Sequence, residues 1–299
     1  MHKLVNGHGT GWLRDLPDHR DYTPENAVNK GALRSSPFDL VMGPPRGVPG
    51  TDLVTMAPIL PASVDLRRWC SPVEDQGQLG SCTAFAGAGL VEYAMRRAYG
   101  RHVNVSPLFL YKVTRNLMGV TGDTGAWLRE MLKALAMCGV GPEELLPYDI
   151  SRFDYEPPAF LYSLAQNYKA ISYLRLDPPG KTPQAILQRI RTMLVAGFPA
   201  AFGFTVYDSI GQAAQDGKIQ FPAEGNRVVA GHAVDAVGYD DQAIIGWLTG
   251  AFLIRNSWGT GWGQQGYGWL PYEYVLQGLA VDWWCVLKQE WIDTGRFGG

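Results

Sequence analysis

Three residues far apart in the chain have the types and surroundings for nucleophilic chemistry: Cys82, His232 and Asn256. Cys82 lies in the stretch Asp75-Gln76-Gly77-Gln78-Leu79-Gly80-Ser81-Cys82-Thr83-Ala84-Phe85-Ala86. A Gly-rich loop there delivers the cysteine to the first turn of a largely apolar helix, where unpaired backbone N–H groups and the helix dipole favour thiolate over thiol. The nucleophile also needs a base. His232 opens the run His-Ala-Val-Asp-Ala-Val-Gly-Tyr, a strand from which an imidazole can face the helix across a cleft between two lobes. Asn256 ends Phe-Leu-Ile-Arg-Asn, and a hairpin joining 232–239 to 251–256 brings its carboxamide beside the ring, fixing the tautomer. Singly, each residue has an ordinary reading as a small buried hydrophobe, a structural histidine or a turn former. Together, in this order, they form a nucleophilic triad pattern.

The elements that must hold these groups follow from the spacing of apolar residues. A first helix over 81–99 sets Phe85, Ala88, Val91, Met95 and Ala98 at helical intervals and stops at Gly100. A second carries Trp127, Leu128, Met131, Leu132 and Leu135 and ends at Gly139. A third starts at Thr182 with Pro183 in its first position and runs through Ile186, Ile190 and Leu194 to Gly197. Short apolar or alternating segments at 170–176, 199–206, 232–239 and 251–256 read as strands. A helical lobe, 60–165, therefore precedes a mostly β lobe, 166–299. Residues 1–59 read as an extended arm and linker, because Gly43, Pro44, Pro45, Gly47, Pro49 and Gly50 exclude helix and central strand.

Composition narrows the function classes. Hydrophobic residues are 46% and charged residues 18%, which excludes a disordered chain. With 26 basic and 28 acidic residues, a formal charge of -2 and no basic run, the electrostatic footprint of a nucleic-acid partner is missing. Apolar stretches are broken well short of a membrane span, and the first residues lack the apolar run of a Sec-type signal, so the sequence assigns no location. Cys70, Cys82, Cys138 and Cys285 form no C-x-x-C pair, which argues against zinc and leaves room for one disulfide. His2, His8, His19 and His102 are expected to face solvent, and Asp240-Asp241 to form a solvated turn.

Over about residues 60–285 the sequence resembles the papain-like cysteine peptidases. Pro-Ala-Ser-Val-Asp-Leu-Arg at 61–67 resembles the mature start, Gln-Gly-x-x-Gly-Ser-Cys at 76–82 the nucleophile loop, Gly-His-Ala-Val at 231–234 the base, and Arg-Asn-Ser-Trp-Gly-Thr-Gly-Trp-Gly at 255–263 the orienter and its tryptophan. The resemblance implies an α+β, papain-like two-lobe fold, with a helical lobe, an antiparallel β-barrel-like lobe and the cleft between them. It implies a cysteine-type endopeptidase acting on proteins or peptides without metal or organic cofactor. Cys82 is then the nucleophile, His232 its ion-pair partner and general base, Asn256 the orienter and Trp258 the shield of that hydrogen bond. Gln76 joins the Cys82 N–H as oxyanion hole, and the reaction passes through a thioester. Gly203 and Ala233 line the pocket for the second side chain before the cleaved bond, and Gly125 offers backbone pairing. The cluster at 12–21 resembles an N-terminal signature of bacterial members, whence the expectation that the arm lies across the cleft as an inhibitor.

Departures from the family pattern carry expectations too. Leu79 stands where the family usually has half of a disulfide, so that bridge is absent. Thr83 replaces the aromatic after the nucleophile, and Gly231 replaces an acid before the base. Asn256 lies further from Cys82 than the usual 130 to 150 residues or so, and part of the excess is expected as a long hairpin loop over 240–250. An acyltransferase using the same thioester and a catalytically silent binding module are the alternatives.

Overall fold

The structure, a computed structural model, describes residues 3–23 and 60–291. The Gly- and Pro-rich linker expected at 43–50 lies outside these residues, as does His2.

The helix that begins at the cysteine, α1 (Cys82–Tyr99), runs through the interior. Its first half is buried on every side, because small residues let neighbours approach from both flanks. A methyl group at Gly87 would collide with Met131 and Leu110 on one side, and one at Gly89 with Asp235 and Arg255 on the other. The helix stops at Gly100, whose φ of 67° lets its N–H reach the Arg96 carbonyl. Two further helices pack on its outer side. α2 (Pro107–Met118) is capped by the Ser106 hydroxyl, which accepts the Phe109 N–H. α3 (Leu128–Met137) turns Leu128, Met131, Leu132 and Leu135 inward. With α4 (Ala159–Ala165) they enclose one core around Leu90, Phe109, Leu110 and Met131.

Seven strands form the second layer. They are β4 (Ser63–Asp65), β6 (Tyr168–Arg175), β7 (Ala200–Tyr207), β8 (Val228–Ile245), β9 (Leu248–Arg255), β10 (Tyr267–Pro271) and β11 (Ala280–Trp291). Their order is β10-β9-β8-β7-β11-β6, antiparallel throughout, with β4 added beside β8. The sheet is open, and the barrel-like closure expected for this lobe is not formed. Alternation along the strands supplies the reason, since both faces are already covered. Phe202, Phe204, Val234 and Ala236 face a core that includes Ile190, Met193 and Leu194 of α5 (Pro183–Val195), while Ala201 and Ala233 face α1. Small residues on that second face let α1 lie close to the sheet.

The long loop expected at 240–250 is instead an extension of the hairpin. β8 continues to Ile245, a turn at Gly246-Trp247 follows, and β9 starts at Leu248, with a register shift between Asp240 and Ile244. Asp240 and Asp241 are therefore strand residues, not a solvated turn. Asp241 binds Arg191 at 2.5 Å and accepts the Tyr272 hydroxyl at 2.8 Å. All four cysteines are free. Among the described residues, no helix is long and apolar enough to cross a membrane, and no cluster of metal-ligating side chains occurs.

Candidate active site

Cys82 is the first residue of α1, with Ser81 as its N-cap. The backbone amides of Ala233, Gly11, Thr83 and Trp12 turn toward its sulfur. Ala233 follows His232 on β8, so the sulfur lies beside the strand segment that carries the imidazole. His232 Nε2 is 2.8 Å from Asn256 Oδ1, which leaves Nδ1 as the free ring nitrogen, buried and without a hydrogen-bond partner. Trp258 stacks on the His232 ring at 4.6 Å between centroids. The three triad residues and the tryptophan thus converge from α1, β8 and the turn after β9.

Gln76 reaches the same place from the loop before α1. Its Oε1 accepts the Ser257 hydroxyl at 2.6 Å, and its backbone N–H bonds the Ser257 carbonyl at 2.9 Å. That arrangement turns Nε2 into the cleft, where it donates to Leu79 O at 2.8 Å and Gly9 O at 3.0 Å. Tyr148 braces the loop by donating to the Gln76 carbonyl at 2.8 Å while sharing a 2.7 Å hydrogen bond with Ser81. Neither Ser257 nor Tyr148 emerges from sequence reasoning, although Ser257 sits inside the Asn-Ser-Trp string.

Gly9 belongs to the N-terminal arm, which occupies the cleft. Strands β1 (Lys3–Val5) and β2 (His8–Thr10) form a hairpin, and β3 (Trp12–Leu13) pairs in parallel with β5 (Ala126–Trp127). The Gly9 N–H bonds Gly77 O at 2.8 Å, and Gly11 O accepts the Ala126 N–H at 2.8 Å. Glycine is required at both places, since a Cβ on Gly9 would overlap the Leu79 carbonyl and one on Gly11 the Gly80 carbonyl. The Trp12 indole lies against Gly203 and Gly231, filling the space that side chains there would take. Of the other pocket residues expected, Ala233 lines the sulfur and Gly125 packs on the Gly11 backbone.

Histidine 8 is half-buried rather than solvent-facing. Its ring stacks on Trp258 at 5.4 Å, on the arm side of the indole, and its Nδ1 is 3.5 Å from Asp75. His19 and His102 are exposed as expected.

Beneath this cover the triad is dry, with Cys82 and His232 both at 0% exposure. Burial pushes the Cys82 thiol up to about 11, and the four backbone amides only partly oppose it. Burial pulls His232 down to about 4, against the Asn256 hydrogen bond that favours its charged form. Burial thus works against the charged form of both groups while the arm is docked, opposing the helix-dipole effect that favours a thiolate.

Beyond Trp12 the arm ends in a buried cluster of charges. The Asp15 N–H donates to Asp282 Oδ2 at 2.7 Å, and its carboxylate accepts the Trp284 indole N–H at 3.1 Å. Asp21 takes two hydrogen bonds from Arg129, each 2.7 Å, and one from Arg175 at 3.1 Å. Arg175 also binds Asp282 and Asp177. Burial raises Asp15 to about 7 and Asp177 to about 6, against the opposing pull of the neighbouring arginines.

A family model described as papain family cysteine protease matches residues 60–278. The chain is 34% identical over 218 residues to an uncharacterized peptidase C1-like protein of Acanthamoeba polyphaga mimivirus, across 71% of this chain and 68% of that protein. It is 30% identical over 212 residues to cathepsin K of Gallus gallus, across 69% and 58% of the two chains. Among solved structures, xylellain, a cysteine protease from Xylella fastidiosa, matches 97% of this chain and 98% of its own with a TM-score of 0.72 and 31% identity. Bromelain from Ananas comosus, solved with the E64 inhibitor, shares the fold at 20% identity, with a TM-score of 0.58 over 77% of this chain and 100% of that one.

Proposed function

The chain belongs to the papain family of cysteine proteases, and on that premise we propose that Cys82 cleaves peptide bonds through a thioester and that the N-terminal arm keeps it latent. When the arm leaves, His232 takes the thiol proton and the sulfur attacks the scissile carbonyl. The oxyanion is met by Gln76 Nε2 and the Cys82 N–H. The imidazolium then protonates the departing amine, leaving an acyl-enzyme. Water, deprotonated by His232, attacks the thioester, and the carboxylic acid leaves as the thiol is restored. Asn256 holds the ring throughout by its bond to Nε2.

The observation that carries this reading is the hydrogen bond from Gln76 Nε2 to the Gly9 carbonyl, 3.0 Å long. A donor that a substrate oxyanion needs is engaged by a carbonyl of the chain itself. At the sulfur the arm offers the backbone N–H groups of Gly11 and Trp12, which supports occupation of the cleft by the arm. The Trp12 indole also supports a preference for a bulky apolar, aromatic side chain second before the cleaved bond. The test is hydrolysis of such a peptide by a chain beginning near residue 59, with an added amine as competing acceptor. Free acid as the main product is expected, and predominant transfer to the amine would contradict peptidase chemistry.

Gln76→Ala is expected to cost roughly 100- to 1000-fold in kcat, about 2.7 to 4 kcal/mol, by comparison with loss of one oxyanion-hole donor elsewhere. Steady-state kinetics on arm-free protein checks this, and a loss under about threefold would give the oxyanion to another group.

Latency is expected to depend on pH through Asp15. It is faced by Asp282 on β11, Arg129 on α3 and Arg175 on β6, with Asp21 and Asp177 completing the cluster. The docked arm holds Asp15 at about 7, whereas a free carboxylate titrates near roughly 4. Docking therefore takes up a proton between those values. The latch is strongest below the free value, weakens as pH rises, and is weakest above about 7. The activity of the full chain relative to arm-free protein is expected to rise at least about tenfold from pH 5 to pH 8. Asp15→Asn should flatten that rise, and a ratio that falls with pH would refute the linkage.

A further inference from the structure

With Leu79 in place of a cysteine and all four thiols free, no covalent bridge ties the nucleophile loop to the neighbouring loop of the same lobe, residues 119–126. A carboxylate spans that gap. Asp123 accepts the Gly80 N–H at 3.0 and 3.2 Å on its two oxygens, two residues before Cys82. It also accepts the Tyr111 hydroxyl at 2.5 Å, and the Tyr111 oxygen in turn accepts the Gly125 N–H at 3.0 Å. Tyr111 is wholly buried in α2, and burial together with Asp123 raises its pKa, so it keeps its proton and remains a donor.

We propose that Asp123 is a positioning residue for peptide cleavage: it holds the backbone of the nucleophile loop at Gly80 and, through Tyr111, the substrate-pairing backbone at Gly125, and so sets the spacing between them. Both ends of this chain of hydrogen bonds reach atoms that matter for the reaction. Gly80 leads directly into the helix start that carries the sulfur. Gly125 precedes Ala126, whose N–H holds an extended segment of the arm. The loop itself has separate support, because the Arg115 guanidinium binds Gly122 O at 2.6 Å and Asp154 at 2.5 Å. Loss of Asp123 therefore loosens the two loops relative to each other more than it unfolds the 119–126 loop. A half-buried carboxylate accepting a backbone N–H and a phenol makes charge-assisted hydrogen bonds, which are stronger than neutral ones.

The inference rests on Cys82 as nucleophile, so it is tested in full-length protein whose arm is displaced by Gly11→Val, with a separate aliquot titrated by an epoxide to count reactive Cys82 and the remainder left unlabelled for kinetics. In that background Asp123→Ala is expected to lower kcat/KM about 30-fold or more, with kcat falling and KM rising. Asp123→Asn, which keeps one acceptor oxygen, should recover part of the loss. Tyr111→Phe frees only the Gly125 side, so KM should rise at least about fivefold with kcat nearly unchanged. Activity of Asp123→Ala within threefold of its parent overturns the proposal. If Asp123→Ala unfolds in a thermal melt, Tyr111→Phe decides, and an unchanged KM overturns it. A parent that neither reacts at Cys82 nor hydrolyses peptide overturns the peptidase mechanism itself, and this inference with it.

Discussion

Full-length protein carrying Gly11→Val is expected to hydrolyse an aromatic peptide substrate about 1000-fold faster than the unaltered chain. Gly11 lies so close to Gly80 that any side chain there collides with backbone, and the substitution therefore acts on the docked arm rather than on the cleft. The scale follows from what docking buries. An indole removes about 150 to 250 Å² from water, worth on the order of 4 to 6 kcal/mol at about 25 cal/mol per Å². A docking free energy of about 4 kcal/mol leaves the cleft open in roughly one molecule in a thousand, and apparent activity scales with that fraction. Release also rehydrates Cys82 and His232, relieving the desolvation that disfavours their charged forms. The measurement is kcat/KM for the two proteins, alongside limited proteolysis of the arm. A gain below about tenfold in protein whose arm is demonstrably displaced would mean that the arm does not govern access.

Cys82→Ala in the same open background is expected to abolish turnover, by about 10⁴-fold or more, because neither an attacking sulfur nor a thioester remains. The replacement is smaller and apolar at a fully buried site, so the fold should survive with a modest loss of stability. Burial raises all three other thiols, Cys70 to about 12 and Cys138 and Cys285 in the same direction, which makes each a poor nucleophile at neutral pH. Stopped-point hydrolysis assays on protein with an unchanged circular dichroism spectrum check the prediction. Hydrolysis above about one per cent of the parent would assign the chemistry elsewhere.

The triad was legible because its members sit in short distinctive strings, and the helices that carry or flank it show apolar residues at regular intervals. α2 has no counterpart in the sequence reading: Lys112, Thr114 and Arg115 interrupt its apolar run, and their burial becomes evident only in the packed chain. β11 was hidden by Asp282, whose φ of 58° interrupts the strand between Val281 and Trp284. The long hairpin of β8 and β9 was taken for a loop because polar residues at 240–242 mask a bulged strand. What sequence could not supply was partnership across the fold. Ser257 meets Gln76 from 181 positions away, Asp123 meets Gly80 from 43, and Asp15 meets Trp284 from 269. Such pairs exist only once the chain has packed. The position of His8 belongs to the same class, since its stacking on Trp258 requires the arm to be seated.

On the proposed reading the docked arm acts twice: it fills the cleft, and it buries both reacting groups, which disfavours their charged forms. Opening has to reverse both effects. The most direct measurement is the pH dependence of epoxide alkylation at Cys82, mapped by mass spectrometry, in the unaltered chain and in Gly11→Val. Alkylation of the unaltered chain should be slow at neutral pH and rise only toward about pH 11. The Gly11→Val protein should react rapidly at pH 7, at Cys82 alone and to one equivalent, with its thiol titrating below the ordinary value. Equal rates at Cys82 in the two proteins, or labelling of the open form at Cys70, Cys138 or Cys285 instead, would contradict the account.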